Sequence, residues 1–450
     1  MNRAHPNENG HRGPSAPDVH LLSSAEGEVT QVLLAEAGYE TPYSSKPLAA
    51  IRQTYEQHGI EVFVFRNQLA TGRKGLARTP GRSPIDLDDP LVVEFLRRGR
   101  SGTISAKIDP YLILKDLNAI QEKNFPIVQS EWVQDSFGVK TGPEGWGIIL
   151  QPILASRPGD QFLADELTLH PDLRMLIQKT ELKFEGGNIL TGNDFALVGK
   201  NTLAVNWIDR LKQTQEADLG ELNEEFDRLN AQFARTLGVR ELIWVGFDSP
   251  RLDLFDQSRL SFQPDYHLDL FLTLGGRSDS GSELIFIADP RMGQKIAEAA
   301  TSEEVDHGLQ WDGEAISNSL IAQQFDDLER FFATYNLQAQ TQFEVVRLPM
   351  LIHAGIVYSF NNAIVDMTDH GKRVFVPNYC EDLSDPGGKG KLTRTLNDQL
   401  QAVSAAVKEA FHGAGFGQVI FTGDGALMKN YARRRGSLHC LTKVLRRRIP

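Results

Sequence analysis

The chain has 450 residues, 41% apolar and 24% charged, which is ample to bury a core. Its net charge of −12 argues against a general nucleic-acid binder, and no apolar run reaches the ~18 residues of a membrane-spanning helix. Two cysteines do not make a disulfide framework, so a reducing, cytoplasmic setting is expected.

Residues 1–20 are polar and rich in Gly, Pro and Asn, lack the apolar stretch of a signal peptide, and read as a disordered tail. VTQVLLAE (29–36) then reads as a strand, SKPLAAIRQTYEQHG (45–59) as a helix with a Gly stop, and IEVFVF (60–65) as a strand. GWGIILQPIL (145–154) and DFALVGKN (194–201) look like strands between turns. A helix over 221–238 leads to a strand at 241–247, and 282–290 is a further strand. A helix over 318–336 precedes a strand at 343–349. IVYSFNNAIVD (356–366) and KRVFVPN (372–378) are expected to pair through MTDHG, and a helix at 396–415 leads to a strand at 418–424. Helix-then-strand units thus recur at 45–65, 221–247, 318–349 and 396–424 without an obvious sequence repeat. With no long linker, residues 21–450 read as one α/β domain.

Four stretches hold polar residues at odds with their surroundings. In SEWVQDSFGV (130–139), Asp135 interrupts an apolar run, although a turn aspartate would look the same. In KFEGGNIL (183–190), Glu185, two Gly and Asn188 mark a backbone that bends or admits close approach, or a hairpin turn. In DYHLDLFLTL (265–274), His267 and Asp269 are two apart and in a strand would share a face. The fourth is SLHC (437–440), ending in Cys440. Cys, His and Asp are zinc ligands, but there is no CxxC or HExxH and the spacing is wide, so nucleophilic catalysis ranks above a metal site. Two carboxylates beside a thiol would raise its pKa unless the substrate is a cation, and a planar guanidinium suits them.

WVQD, EGGN, HLD and HC, in this order with the cysteine near the C-terminus, resemble the guanidino-modifying enzymes of the pentein superfamily. The end of the chain, YARRRGSLHCLTKVLRR, is most similar to protein-arginine deiminases; FEGGN is more similar to the bacterial arginine, agmatine and peptidylarginine deiminases, and HLDLFLTL to free-arginine deiminases. The resemblance implies a five-bladed propeller of ββαβ units with pseudo-fivefold symmetry. It implies Cys440 as nucleophile, Asp135 and Asp269 as holders of the guanidinium, and His267 as general acid and base. Glu185 would orient His267 or touch the guanidinium, Asn188, Asn361 and Asn362 are further candidates, and Arg434 would line the mouth. His439 is expected to be structural, because strand neighbours face opposite sides.

The expected reaction is deimination of a protein or peptide arginine to citrulline and ammonia. The alternatives are deimination of free arginine or agmatine, and amidino transfer. A fourth reading is a non-catalytic binding module, against which the joint presence of these residues argues. Calcium-dependent relatives hold the ion partly through acidic residues at positions that here are Gly138 and Leu190; Gln134 alone matches. Calcium independence, no metal and no cofactor are therefore expected. A homodimer is compatible with the sequence. Loops 69–104 and 250–265 are expected to flank the mouth, and 75–90 reads as a lid or a plain surface loop.

Overall fold

The computed structural model describes residues 20–36, 46–66, 132–142, 146–153, 163–164, 167–211, 219–246, 251–252, 260–261, 267–300, 320–336, 341–381 and 391–448. The predicted tail up to residue 19, the loop 69–104 with its lid segment, and most of 250–265 lie outside the described residues.

From the N-terminal side come β1 (Glu28–Glu36), α1 (Lys46–Gln57), β2 (Glu61–Arg66), β3 (Gly138–Thr141), β4 (Gly147–Gln151) and β5 (Met175–Lys179). Next are β6 (Ile189–Thr191), β7 (Phe195–Gly199), α2 (Lys200–Leu211), α3 (Leu219–Leu237) and β8 (Glu241–Val245). A short pair, β9 (Arg251–Leu252) and β10 (Leu260–Ser261), precedes β11 (Leu272–Arg277), β12 (Glu283–Asp289), α4 (Pro290–Ala300), α5 (Leu320–Asn336) and β13 (Phe343–Pro349). Then follow β14 (Leu351–His353), β15 (Ile356–Tyr358), β16 (Ile364–Thr368), β17 (Gly371–Pro377), α6 (Lys391–Gly413) and β18 (Phe416–Thr422). The chain closes with α7 (Gly425–Arg433), the helical turn α8 (Leu438–Leu441) and β19 (Thr442–Arg448).

Among the described residues the strands form five three-stranded sheets of one pattern: β19-β1-β2, β3-β4-β5, β6-β7-β8, β11-β12-β13 and β16-β17-β18. In each, the first strand runs antiparallel to the middle one and the third runs parallel to it. A parallel neighbour needs a crossover, which explains why helices stand between the second and third strands of most sheets. Two of the middle strands are buried almost throughout: all five residues of β7 and six of seven in β12. This is the pattern of a strand covered on both faces. On α3, Leu229, Phe233 and Leu237 repeat every four residues and bury one stripe against Ala196 and Val198 of β7.

The sheets follow one another laterally. β3 lies against β19, β1 against β16, β16 against β11, and β11 against β6. Leu150 of β4 joins Ile189, Ala196 and Val198 of the β6–β7 hairpin in one apolar cluster. No helix among the described residues is long and apolar enough to cross a membrane.

Three local expectations need correction. The stretch 356–366 is two strands, β15 and β16, interrupted at 359–363; β15 pairs with β14, and only β16 pairs with β17. Residues 268–270 form a 3-10 turn, so His267 and Asp269 do not share a strand. Cys440 and His439 belong to the helical turn α8, not to the last strand, which starts at Thr442.

Candidate active site

The five sheets share one further feature. The first strand of each is entered from a buried turn: 132–137 before β3, 186–188 before β6, 268–270 before β11, 359–363 before β16, and α8 before β19. These turns carry Asp135, Gly187, Asp269, Asn362 and Cys440, and Glu185 and His267 stand immediately before two of them. Backbone and amide bonds lock them together. Gln134 N–H donates to the Cys440 carbonyl (3.3 Å), Gly186 N–H to the Asp135 carbonyl (3.2 Å), and His439 N–H to the Asn362 carbonyl (3.2 Å). Asn362 Nδ2 donates to the Asp269 carbonyl at 3.1 Å.

Glycine is required where these turns cross. A Cβ on Gly186 would lie 1.9 Å from the Gln134 carbonyl oxygen, and one on Gly436 would lie 2.2 Å from the Trp132 ring. A Cβ on Gly187 would meet Asp135 Oδ1 at 2.7 Å, His267 Nδ1 at 2.8 Å and Asp269 Oδ1 at 3.1 Å. Two carboxylates and an imidazole thus converge on one point above Gly187.

Four of the residues singled out in the sequence are almost fully buried: Asp269 is 1% exposed, Asp135 and Cys440 3%, and His267 4%. His267 contacts Glu185 Oε2 through Nε2 (2.5 Å), and its Nδ1 lies 3.4 Å from Asp135 Oδ1. Burial alone would lower the His267 pKa, but Asp135, Glu185 and Asp269 outweigh it and raise the value to about 9. His267 is therefore an imidazolium at neutral pH, with a donor at each nitrogen.

Burial pushes the Cys440 thiol well above its ordinary pKa, and Asp269 and Asp135 push it further; a backbone bond from Ser437 and the Asn362 amide act in the opposite direction. The Asn362 amide grips the cysteine at both ends. Nδ2 donates to Sγ at 3.1 Å, and Oδ1 accepts the Cys440 N–H at 3.1 Å. Sγ is 3.6 Å from Asp269 Oδ2, which also accepts from His439 Nδ1 at 2.7 Å. The other oxygen, Asp269 Oδ1, is buried with no hydrogen-bond partner. A buried carboxylate oxygen left in that state is costly unless a ligand completes it.

The structure brings Cys440, His267, Asp135, Asp269 and Glu185 together, and turns one predicted binding residue, Asn188, away from them. The Asn188 amide donates to Thr202 Oγ1 of α2 at 2.8 Å, pinning the helix to the turn. Arg434 is exposed and stacks 5.5 Å above the Trp132 ring, at the edge of the cluster. Asn361 anchors its turn through the Phe286 carbonyl at 3.0 Å. Sequence reasoning missed Lys443, which is buried behind the site, and took His439 for a residue facing away from it. The one usable signal was positional: Asn362 and Cys440 both stand two residues before the first strand of their sheets. Among the described residues no group of three or more His, Cys, Asp and Glu has the arrangement to hold a metal ion.

No family model and no curated protein matches the sequence. Solved structures do. One provisionally described as a peptidyl-arginine deiminase aligns over 97% of this chain and 100% of its own, with a TM-score of 0.52 and 14% identity. One provisionally described as an arginine deiminase, from Porphyromonas gingivalis, aligns over 94% and 97%, with a TM-score of 0.50 and 12% identity. An agmatine deiminase of C. jejuni aligns over 96% and 97% at 14% identity, with a TM-score of 0.45. The chain shares the α/β fold of these solved structures.

Proposed function

We propose that this protein hydrolyses an arginine-type guanidinium to the ureido product and ammonia through a thiouronium on Cys440, and that its five sheets are the blades of a pentein propeller. The observation that carries the reading is the unpartnered Asp269 Oδ1, converging with Asp135 Oδ1 and His267 Nδ1 beside a thiol. The two carboxylate oxygens suit the N–H edges of a planar cation.

The empty site disfavours the thiolate, because burial and two carboxylates oppose it. A bound guanidinium offsets Asp135 and Asp269, so the thiol releases its proton to solvent as the complex forms, and Ser437 and Asn362 donate to the thiolate. Sulfur attacks the guanidinium carbon. His267 supplies a proton from Nδ1 to an amino group of the adduct while Glu185 holds Nε2, and the C–N bond breaks to release ammonia. Neutral His267 then takes a proton from the water that attacks the thiouronium, and the C–S bond breaks. Fixing the guanidinium between two carboxylates contributes to the barrier reduction by positioning, worth roughly 7–11 kcal/mol in the best-oriented systems.

Protein or peptide arginine is the proposed substrate, on the strength of the C-terminal motif from Tyr431 to Arg447 and of Arg434 on Trp132 at the edge of the site. Deimination of a small guanidine is the second reading, favoured by the depth at which Asp135, Asp269 and His267 are buried. Calcium independence is proposed from what occupies the two positions acidic in calcium-dependent enzymes. A Cβ on Gly138 would press on Leu21 and Leu150, and Leu190 is part of the apolar core.

The test is citrulline and ammonia release from a blocked arginine peptide, free arginine and agmatine, each with calcium and with EDTA. Turnover of the peptide in EDTA is expected. Turnover of a free guanidine alone moves the protein to the small-molecule branch. A strict calcium requirement removes the calcium-independent reading, and silence on all three removes the hydrolytic one.

A further inference from the structure

Lys443 is the second residue of β19 and is 5% exposed. Its Nζ donates to the Gln134 carbonyl at 3.1 Å and lies 5.2 Å above the Phe137 ring. A Cβ on Gly186 would be 3.0 Å from this nitrogen. Lys443 therefore touches the Asp135 turn and the Glu185 turn from beneath. It makes no ion pair among the described residues, although the field of Asp135 and Asp269 reaches it. It lines a cavity of about 60 Å³ with Gln134, Gly186, Thr191, His439 and Arg447. Apolar side chains such as Leu21, Val139, Phe184 and Ile189 complete the lining, and the space is large enough for water held by its polar groups.

We propose that Lys443 is the counter-cation of the empty guanidinium site, a positioning residue that braces the Gln134–Asp135 turn and gives up a proton when a cationic substrate docks. The inference rests on the guanidinium reading above and adds how that site handles its charge. Without substrate, Asp135 and Asp269 are buried close together, and an ammonium below them reduces their repulsion. A guanidinium between the carboxylates takes over this role. It also removes the attraction that keeps a buried ammonium charged. The Nζ–H bond then breaks, the proton passes to water in the cavity and on to buffer, and Lys443 stays as a neutral amine.

The electrostatics agree with the geometry. Burial lowers the Lys443 pKa to about 7, with Asp135 and Asp269 holding it up against that pull. The other charged or titratable groups around it are His267, Glu185, His439 and Arg447. Arg447 is engaged by the carbonyls of Ser24, Gly27 and Val365, and by the fields of Asp366 and Glu26. His267, held at about 9, keeps its own proton near neutrality.

Titration calorimetry tests this on Cys440→Ala protein, which binds without turnover, using N-benzoyl-arginine amide, agmatine and free arginine. Heats in phosphate and in Tris give the protons released. Release of roughly one proton per ligand is expected near pH 6 and almost none near pH 8.5, where Lys443 is already neutral. Adding Lys443→Met should abolish the release and tighten binding near pH 6. Lys443→Arg, which keeps its charge, should bind weakly at both pH values and release nothing. Equal release in the Lys443→Met protein would assign the proton to His267 and overturn the proposal. So would binding without release in the protein that retains Lys443, a comparison that stands even if Lys443→Met fails to fold. Failure of all three guanidines to bind would instead remove the substrate class, and with it this inference.

Discussion

A methyl group on Gly187 would land within 3.1 Å of Asp135 Oδ1, His267 Nδ1 and Asp269 Oδ1, on the point where these groups converge. Gly187→Ala is expected to lower kcat/KM by about 100-fold, the order of loss seen when a reacting group is misplaced by an ångström. The neighbours it meets are side-chain ends, so the stability loss should be about 1 kcal/mol, readable by thermal unfolding alongside the kinetics. His267 sets a second expectation. Its folded pKa of about 9 lies above that of a free imidazole, and in the proposed reaction the imidazolium protonates the amino group that leaves as ammonia. At limiting substrate, kcat/KM should fall as pH rises through about 9, and a descending limb in kcat/KM near ~6.5 would contradict the assignment. The same raised value contributes stability that is complete below ~6.5 and is lost as pH rises through about 9. At this level the sequence was most informative where polar residues interrupt apolar runs: Asp135, Glu185, His267, Asp269 and Cys440 all stand out so. Lys443 does not, because a lone lysine in TKVLRRR reads as part of a solvated basic end, and only tertiary packing buries it.

The turns before the first strands explain why the cluster is assembled from five distant segments. Each sheet delivers one turn to the same place, and the segment 359–363 delivers Asn362. Removing the amide costs the Sγ donor and the acceptor of the Cys440 N–H together. Asn362→Ala should reduce kcat by roughly 10- to 100-fold, in line with about 1.5–3 kcal/mol for hydrogen bonds to a charged group. Steady-state kinetics would check it, with KM expected to change less than kcat. Strand positions were legible because β7 and the central LIFIA of β12 are continuous apolar runs. The turns were not. HLDL alternates polar and apolar residues as a strand would, yet 268–270 folds as a 3-10 turn. The same misreading put His439 on the far side of a strand, whereas the helical turn α8 directs its Nδ1 to Asp269.

For the molecule as a whole, the N-terminal strand β1 is the middle member of a sheet whose first member is the C-terminal β19. Arg447 fastens this closure. Its guanidinium donates to the carbonyls of Ser24 (3.0 Å), Gly27 (2.9 Å) and Val365 (2.9 Å), joining both chain ends to β16. Arg447→Met should cost about 2–3 kcal/mol in urea unfolding, since it leaves several buried carbonyls without a charged donor. Recurrent helix-then-strand units were visible as a pattern. The pairing of the first strand with the last was not, because register between segments some 400 residues apart is set by packing and not by local periodicity. That closure brings α8, and with it Cys440, onto Asp269.

The most direct measurement is acid-quench mass spectrometry of the wild-type protein during turnover of an arginine peptide, with arginine and agmatine in parallel. The account predicts an adduct of substrate minus ammonia on the peptide containing Cys440, absent from Cys440→Ala, which should release no citrulline. Citrulline release by Cys440→Ala, or turnover with the adduct on another residue, would contradict it.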